Sequence, residues 1–539
     1  MNQRLSKLIL ICACLLVANG LLQWLVDSDL GIMWTHNVLR NWEQFGWTTL
    51  KGRLVDNPGG HGALEQPYIY PGHRAASLYP AFFVGRLFAW TGMHALPFHA
   101  VLALVVLGGI WHLLGRTENA FSIGAVAILC PGYALDPTHL DPINMSVLVG
   151  IPYAALVCWQ LRQPRLTMPA LILLLLATIG FTLLNWTTAL VHMQIFLCLL
   201  LARMVPWRRL VLYAVFGFVS AALVVCASVA SKMSVGGPHP VPFTQFLAGY
   251  TWGGSAYSSF IPSTSATATL LVRIAFANIL GLLPLWIIWG WILMRNVRAE
   301  PIRVAVSLAP IGLAALLAVG MRNYIGSQPW TTATLFLMGI VLSLFMVLRL
   351  AALSTTPPST TRTTGRYLIW AATFGFGFVV LLFYREHQSR VISLVSLVRS
   401  HSARGDGIVV VRSVDAKTAS LAVSPYPGVA ARLSEQLDRW LLVVDALPDP
   451  AHPIPASFLL SAVPLAGDWP LAARSGNDPL QSLPLLHGAL DWFSKTIARR
   501  APGDRMDLAE TYYLYRVPPN LRASTQDAGA VPSLPPQKQ

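Results

Sequence analysis

Charge is what this chain has least of. Asp, Glu, Lys and Arg make up 11% of its 539 residues, less than half their share in an ordinary soluble domain. With hydrophobic residues at 55%, that shortage excludes a water-facing surface over most of the length. Acid is scarcer than base: 23 Asp and Glu against 38 Lys and Arg give a net charge of +15. The excess does not point to a nucleic-acid partner, because the basic residues sit in short clusters between apolar runs, where they orient helices. Cysteine is sparse as well. Cys12, Cys14, Cys130, Cys158, Cys198 and Cys226 all fall inside or at the ends of apolar runs, so the loops hold no disulfide and no CxxC site. The cysteines read as core fillers. The histidines show no HExxH or other ligand spacing, so no zinc is assigned, and there is no Walker loop, GxSxG or nucleotide-binding glycine pattern.

What is present is a series of apolar runs through the first 384 residues, near the length of a bilayer crossing. Hydrocarbon offers a backbone no hydrogen bonds, so such runs must be helices; they are continuous rather than alternating, which excludes a β-barrel. Eleven spans are expected, at about 8–26, 96–115, 119–136, 143–161, 168–185, 187–203, 210–230, 268–294, 304–320, 331–349 and 367–384. The first is an uncleaved span rather than a signal peptide, since its run continues to about Val26 with no small-x-small site. The stretch 78–92 is apolar but short and contains Arg86, which suits a helix lying at the interface.

The positive-inside rule sets the orientation. With a cytoplasmic N-terminus, the inner segments hold Arg4, Lys7, Arg116, Arg162, Arg165, Arg203, Arg208, Arg209, Arg295, Arg298, Arg303, Arg349, Arg362 and Arg366, whereas the short outer loops hold only Lys232, Arg273 and Arg322. The expected fold is an all-α polytopic membrane bundle with a small C-terminal α/β outer domain. A transmembrane domain 1–390 with a long first outer loop (27–95) precedes a periplasmic or extracellular soluble domain 391–522 and a disordered, polar, Pro-rich tail 523–539. That soluble domain shows β-like runs at 407–412 and 440–445 and a helix-like stretch around 429–440. The expected location is a bacterial inner membrane.

Nine acidic residues precede position 385. Glu118 and Glu300 lie in inner turns. The other seven, Asp27, Asp29, Glu43, Asp56, Glu65, Asp136 and Asp141, all fall in the first two outer loops. Asp27 and Asp29 sit where span 1 leaves the bilayer, and Asp136 and Asp141 bracket the second loop, each before a proline, as turn starters often are. A carboxylate at the mouth of a bundle can take a proton from an attacking hydroxyl or amine. Two converging carboxylates can hold Mg²⁺ or Mn²⁺ against phosphate oxygens. Arg273 near the outer end of span 8 and Arg322 just past span 9 suit phosphate binding, or snorkelling to headgroups; Arg74, with Lys51, Arg53 and His73, could join them. The first-loop aromatics Trp24, Trp34, Trp42, Trp47, Tyr68, Tyr70, Tyr79 and Trp90 are expected as interfacial anchors.

This layout resembles the GT-C class of membrane glycosyltransferases, which includes protein O-mannosyltransferases, aminoarabinose transferases and oligosaccharyltransferase catalytic subunits. The resemblance lies in span order over about 1–300 and in the acidic positions, without the paired Asp-Glu or WWDxG segments found in members of that class. It implies that Asp27 or Asp29 acts at the reaction centre, with Asp136 or Asp141 as the second-loop acid. It also implies a polyprenyl phosphate or pyrophosphate sugar donor and a glycan, lipid or protein acceptor in the envelope. Two other classes compete: a transporter or flippase for an envelope lipid or glycan, for which the spans contain few ionisable groups, with His112 and His192 the candidates, and a non-catalytic scaffold.

Overall fold

Among the described residues, sixteen α-helices and five short strands follow one another in the computed structural model. It describes residues 3–26, 34–55, 57–60, 63–64, 75–87, 95–138, 142–185, 188–233, 264–297, 300–320, 332–350, 363–387, 389–411, 437, 439–444, 447, 453–461, 464–465, 469–475 and 512–522. Its contacts divide the chain into two units. One comprises residues 1–26 and 71–381; the other comprises residues 27–70 and 382–539.

The first unit is helical. Each apolar run lies within or across helices: α1 (Gln3–Val26), α4 (Ala95–Leu113), α5 (Glu118–Leu129), α6 (Pro131–Thr138), α7 (Pro142–Leu161), α8 (Met168–Leu184), α9 (Thr188–Leu201), α10 (Trp207–Met233), α11 (Thr264–Val297), α12 (Pro301–Ser307), α13 (Ala309–Gly320), α14 (Thr332–Leu350) and α15 (Thr363–His387). Among the described residues, five of the resulting segments are long and apolar enough to cross a membrane, and six more are apolar but shorter. The stretch read as interfacial forms α3 (Tyr79–Leu87). Its nine residues rise about 13 Å, under half of the ~30 Å hydrocarbon core.

Side-chain partners fix how these helices run. Arg366 pairs with Glu118, Trp370 Nε1 donates to Ser122 Oγ at 2.9 Å, and a methyl placed on Gly377 would lie 3.0 Å from the Leu129 oxygen. The same stride along α15 and α5 makes them parallel. Lys7 lies within electrostatic reach of Glu118, and Asn19 Nδ2 donates to the Ile128 oxygen at 2.6 Å, so α1 runs with them. Gly109 of α4 lies against the backbone of Pro152 in α7, and the last turns of α4, α7 and α14 line one cavity. Those three helices therefore finish together, at the end of the unit where α1, α5 and α15 begin.

The second unit is built around a sheet of order β2-β1-β3-β5-β4. The strands are β1 (Gly407–Val411), β2 (Trp440–Val444), β3 (Phe458–Ser461), β4 (Leu471–Arg474) and β5 (Tyr513–Arg516). β1 lies parallel to both β2 and β3; β5 lies antiparallel to β3 and to β4. Successive side chains of a strand face opposite sides, and both sides here are covered. Ile408, Val410, Phe458, Leu460 and Leu514 pack under Leu394, Val395, Leu397 and Val398 of α16 (Ser389–His401). Val409, Leu459 and Tyr515 pack with Ile454, Val517 and Leu521 on the other side.

Part of the first loop belongs to this unit. Helix α2 (Trp34–Phe45) buries Val38 and Trp42. Asn41 Nδ2 donates to the oxygens of Val55 and Asn57 at 2.8 and 3.1 Å, and Asn41 Oδ1 accepts from Arg404 Nη2 at 2.8 Å. Arg404 Nη1 donates to Gln44 Oε1 at 2.6 Å. Gly59, at φ +66°, lies so close that a Cβ would stand 2.5 Å from the Arg404 oxygen. Trp42 was expected as an interfacial anchor; instead it is fully buried, and its indole donates to the Arg53 oxygen at 2.7 Å. Most of the helix-like stretch around 429–440 and all of the tail 523–539 lie outside the described residues.

Candidate active site

Span 3 does not run straight, and the reason is local. Proline lacks an amide hydrogen and pushes the residue before it out of the helical region. Cys130, just before Pro131, accordingly sits at φ −66°, ψ 139° and ends α5. Its oxygen then accepts from the Tyr133 and Ala134 amides at 3.0 and 3.3 Å, starting α6. A broken helix leaves carbonyls without amide partners; the Ile128 carbonyl takes the Asn19 amide of α1, itself held by Gln23 at 2.9 Å.

Short helix α6 is surrounded closely. It packs against α1, α4, α5, α7, α11 and α14. A Cβ on Gly132 would lie 3.0 Å from both the Gly281 oxygen of α11 and the Ala333 Cβ of α14. Small residues permit such close approach between helices in a membrane. The Cys130 thiol meets the backbone at Leu285, while Gly132 meets Gly281. Ascending α6 thus descends α11, and Arg273 lies eight residues beyond Gly281, about 12 Å further along, in the same direction as Asp136.

Asp136 and Arg273 therefore lie in α6 and α11, and their side chains are outside the described residues, as are Asp27, Asp29, Asp141, Arg74 and Arg322 altogether. Chain continuity supplies the rest of the frame. Asp27 immediately follows Val26, the last residue of α1; Asp141 immediately precedes α7; Arg322 lies ten residues before α14. All three connect to helix ends opposite the end where α4, α7 and α14 finish. Among the described residues, no group of three or more His, Cys, Asp or Glu is placed to hold a metal.

One residue at this end was missed in the sequence. His99, in the second turn of α4, is 1% exposed, and its Nδ1 has no hydrogen-bond partner among the described residues. An imidazole buried in an apolar run is the signal that could have found it, since unpaired polar groups there are costly. His192, by contrast, is satisfied. Its Nδ1 meets the Tyr213 hydroxyl at 2.9 Å, its Nε2 meets Thr182 Oγ1 at 3.1 Å, and its ring packs edge-on to Tyr153 and Phe181. Buried Cys130, Cys158 and Cys198 fill core, but Cys14 is exposed on α1 and Cys12 is partly so.

No protein-family model and no curated protein matches the chain. Among solved structures, it is similar to the crystal structure of ArnT from Cupriavidus metallidurans in the apo state. The match has 14% identity and a TM-score of 0.35, and covers 82% of this chain and 86% of that one. At that level the functional reading rests on this chain's own residues.

Proposed function

We infer that the chain is a multi-pass membrane glycosyltransferase with eleven crossings, which moves a sugar from a polyprenyl phosphate or pyrophosphate to an envelope acceptor. Asp27 or Asp29 takes the acceptor proton. Asp136 and Asp141 form the second acidic group, and Arg273, Arg322 and Arg74 hold the departing phosphate. Such a leaving group needs little acid assistance, so positioning the nucleophile and stabilising charge supply most of the acceleration. With its N-terminus in the cytoplasm, the chain works on the outer face of the inner membrane. The observation that supports this reading most is the seating of α6, the carrier of Asp136, between α1, which runs directly into Asp27, and α11, the carrier of Arg273.

The transporter alternative gains little. His192 is engaged by hydroxyls within the bundle, and His112 lies at the end of α4 beside Arg116. The test is transfer of labelled sugar from polyprenyl phosphate donors by purified protein. Asp27→Asn, Asp29→Asn, Asp136→Asn and Asp141→Asn are compared with wild type. A hundredfold or greater loss of turnover in at least one first-loop variant is expected, the usual scale for removing a general base. Normal turnover in all four removes the carboxylate mechanism.

A further inference from the structure

At the end of the helical unit where α4, α7 and α14 finish, a cavity of about 290 Å³ opens between them. Its polar lining is His112, Arg116, Arg162 and Arg349, with no carboxylate among the described residues. Glu118, an acid near the start of α5, is taken by Arg366. Helix C-termini attract cations, each carrying roughly half a negative charge; three of them against three arginines leave about +1.5 in the cavity.

Capping does not consume these arginines. The α7 C-terminus is capped by Arg209, which donates to the Leu161 and Pro164 oxygens at 2.9 and 2.8 Å and also to Gln163. The α4 C-terminus is closed by its own backbone: Leu114, Gly115 and Arg116 amides donate to Ile110, His112 and Trp111 at 2.9, 3.3 and 2.8 Å. Arg116 Nε and Nη2 both donate to His112 Nδ1, at 3.2 and 3.0 Å, so the neutral imidazole carries its hydrogen on Nε2 and remains a donor. Among the described residues, no hydrogen bond or ion pair engages the Arg162 or Arg349 guanidinium; Arg349 lies 6.0 Å over the Phe345 ring.

We propose that this cavity binds the phosphate headgroup of an anionic membrane lipid. Arginine presents a planar fork that fits phosphate oxygens, and basic pockets between transmembrane helices suit such headgroups. The volume corresponds to about ten waters at ~30 Å³ each, room for more than a bare phosphate. Trp159, 45% exposed at the rim, is the residue type that settles at headgroup depth. The site lies at the end of the helical unit opposite Val26, the last residue of α1, and its occupation is independent of the transferase reading.

The test uses the full-length protein in neutral detergent, titrated with short-chain phosphatidylglycerol, short-chain phosphatidylcholine or inorganic phosphate while Tm is followed. Phosphatidylglycerol should raise Tm at concentrations where the other two do not, and Arg162→Gln/Arg349→Gln should need at least tenfold more of it. Arg208→Gln, an exposed arginine outside the cavity, should respond as wild type. Equal stabilisation by phosphatidylcholine, or an unchanged response of the double variant, overturns the proposal. Stabilisation by inorganic phosphate as strong as by phosphatidylglycerol overturns the lipid and assigns the cavity to a free anion. If the double variant does not fold, brominated phosphatidylglycerol decides on the folded protein. It should quench a fluorescence component that Trp159→Phe lacks, and equal quenching by brominated phosphatidylcholine refutes the idea.

Discussion

Replacing Gly132 by alanine probes the seat of α6 directly. Two effects oppose each other. Alanine is better than glycine inside a helix by roughly 1 kcal/mol, but the new methyl would stand 3.0 Å from the Gly281 oxygen and from the Ala333 Cβ. Carbon contacts are comfortable at about 3.5–4.0 Å, so α6 or its neighbours in α11 and α14 must give by a few tenths of an ångström. Overpacking of this kind costs about 1–3 kcal/mol, leaving a net loss of up to ~2 kcal/mol. Gly180 of α8 is the control: a Cβ there meets nothing within 4 Å, and Gly180→Ala should gain up to ~1 kcal/mol. Thermal unfolding in detergent, followed by tryptophan fluorescence, reads both. Because a shift near 1 Å can cost a hundredfold in rate, Gly132→Ala should also lose far more turnover than Gly180→Ala. A Gly132→Ala protein as stable and as active as Gly180→Ala refutes the packing argument.

Asn19→Leu leaves the Ile128 carbonyl without its side-chain donor at the helix break and should cost about 1–3 kcal/mol in the same thermal assay. Arg404→Ala removes both donors that hold Asn41 and Gln44; limited proteolysis of the full chain should then cut within 46–60 faster than in wild type. Gly59→Ala should produce the same nicking pattern, because φ +66° and the Arg404 oxygen 2.5 Å away leave no room for a methyl; an unchanged pattern in both would detach the first loop from that contact.

Much of the helical unit was legible because hydrocarbon-length apolar runs have one solution, and every such run lies within or across helices. The Cys130-Pro131 step even signals where span 3 breaks, although the resulting helix carries Asp136 inside it rather than in a loop. The β-like runs at 407–412 and 440–445 appear as β1 and β2. The remaining strands are only four residues each, and Phe458–Ser461 is buried on both faces, so no alternation marks it. Trp42 was misread because composition near a membrane favours an anchor. Its burial depends on a partner residue, Arg53, and on a fold that joins residues 27–70 to a domain more than 300 positions away. No local pattern encodes that association. The convergence of Arg116, Arg162 and Arg349 was visible as three separate basic clusters but not as one cavity, because only parallel helix ends bring them together.

The claim on which the account turns is that acids from the first and second outer loops serve one reaction. A double-mutant cycle on transfer rate, using Asp27→Asn, Asp136→Asn and the combined variant (with Asp29 and Asp141 as the parallel pair), measures that coupling. Groups acting as a unit lose non-additively, so the account predicts a combined variant in one pair scarcely slower than its slower parent. Losses that simply multiply in both pairs, or single variants as fast as wild type, would contradict it.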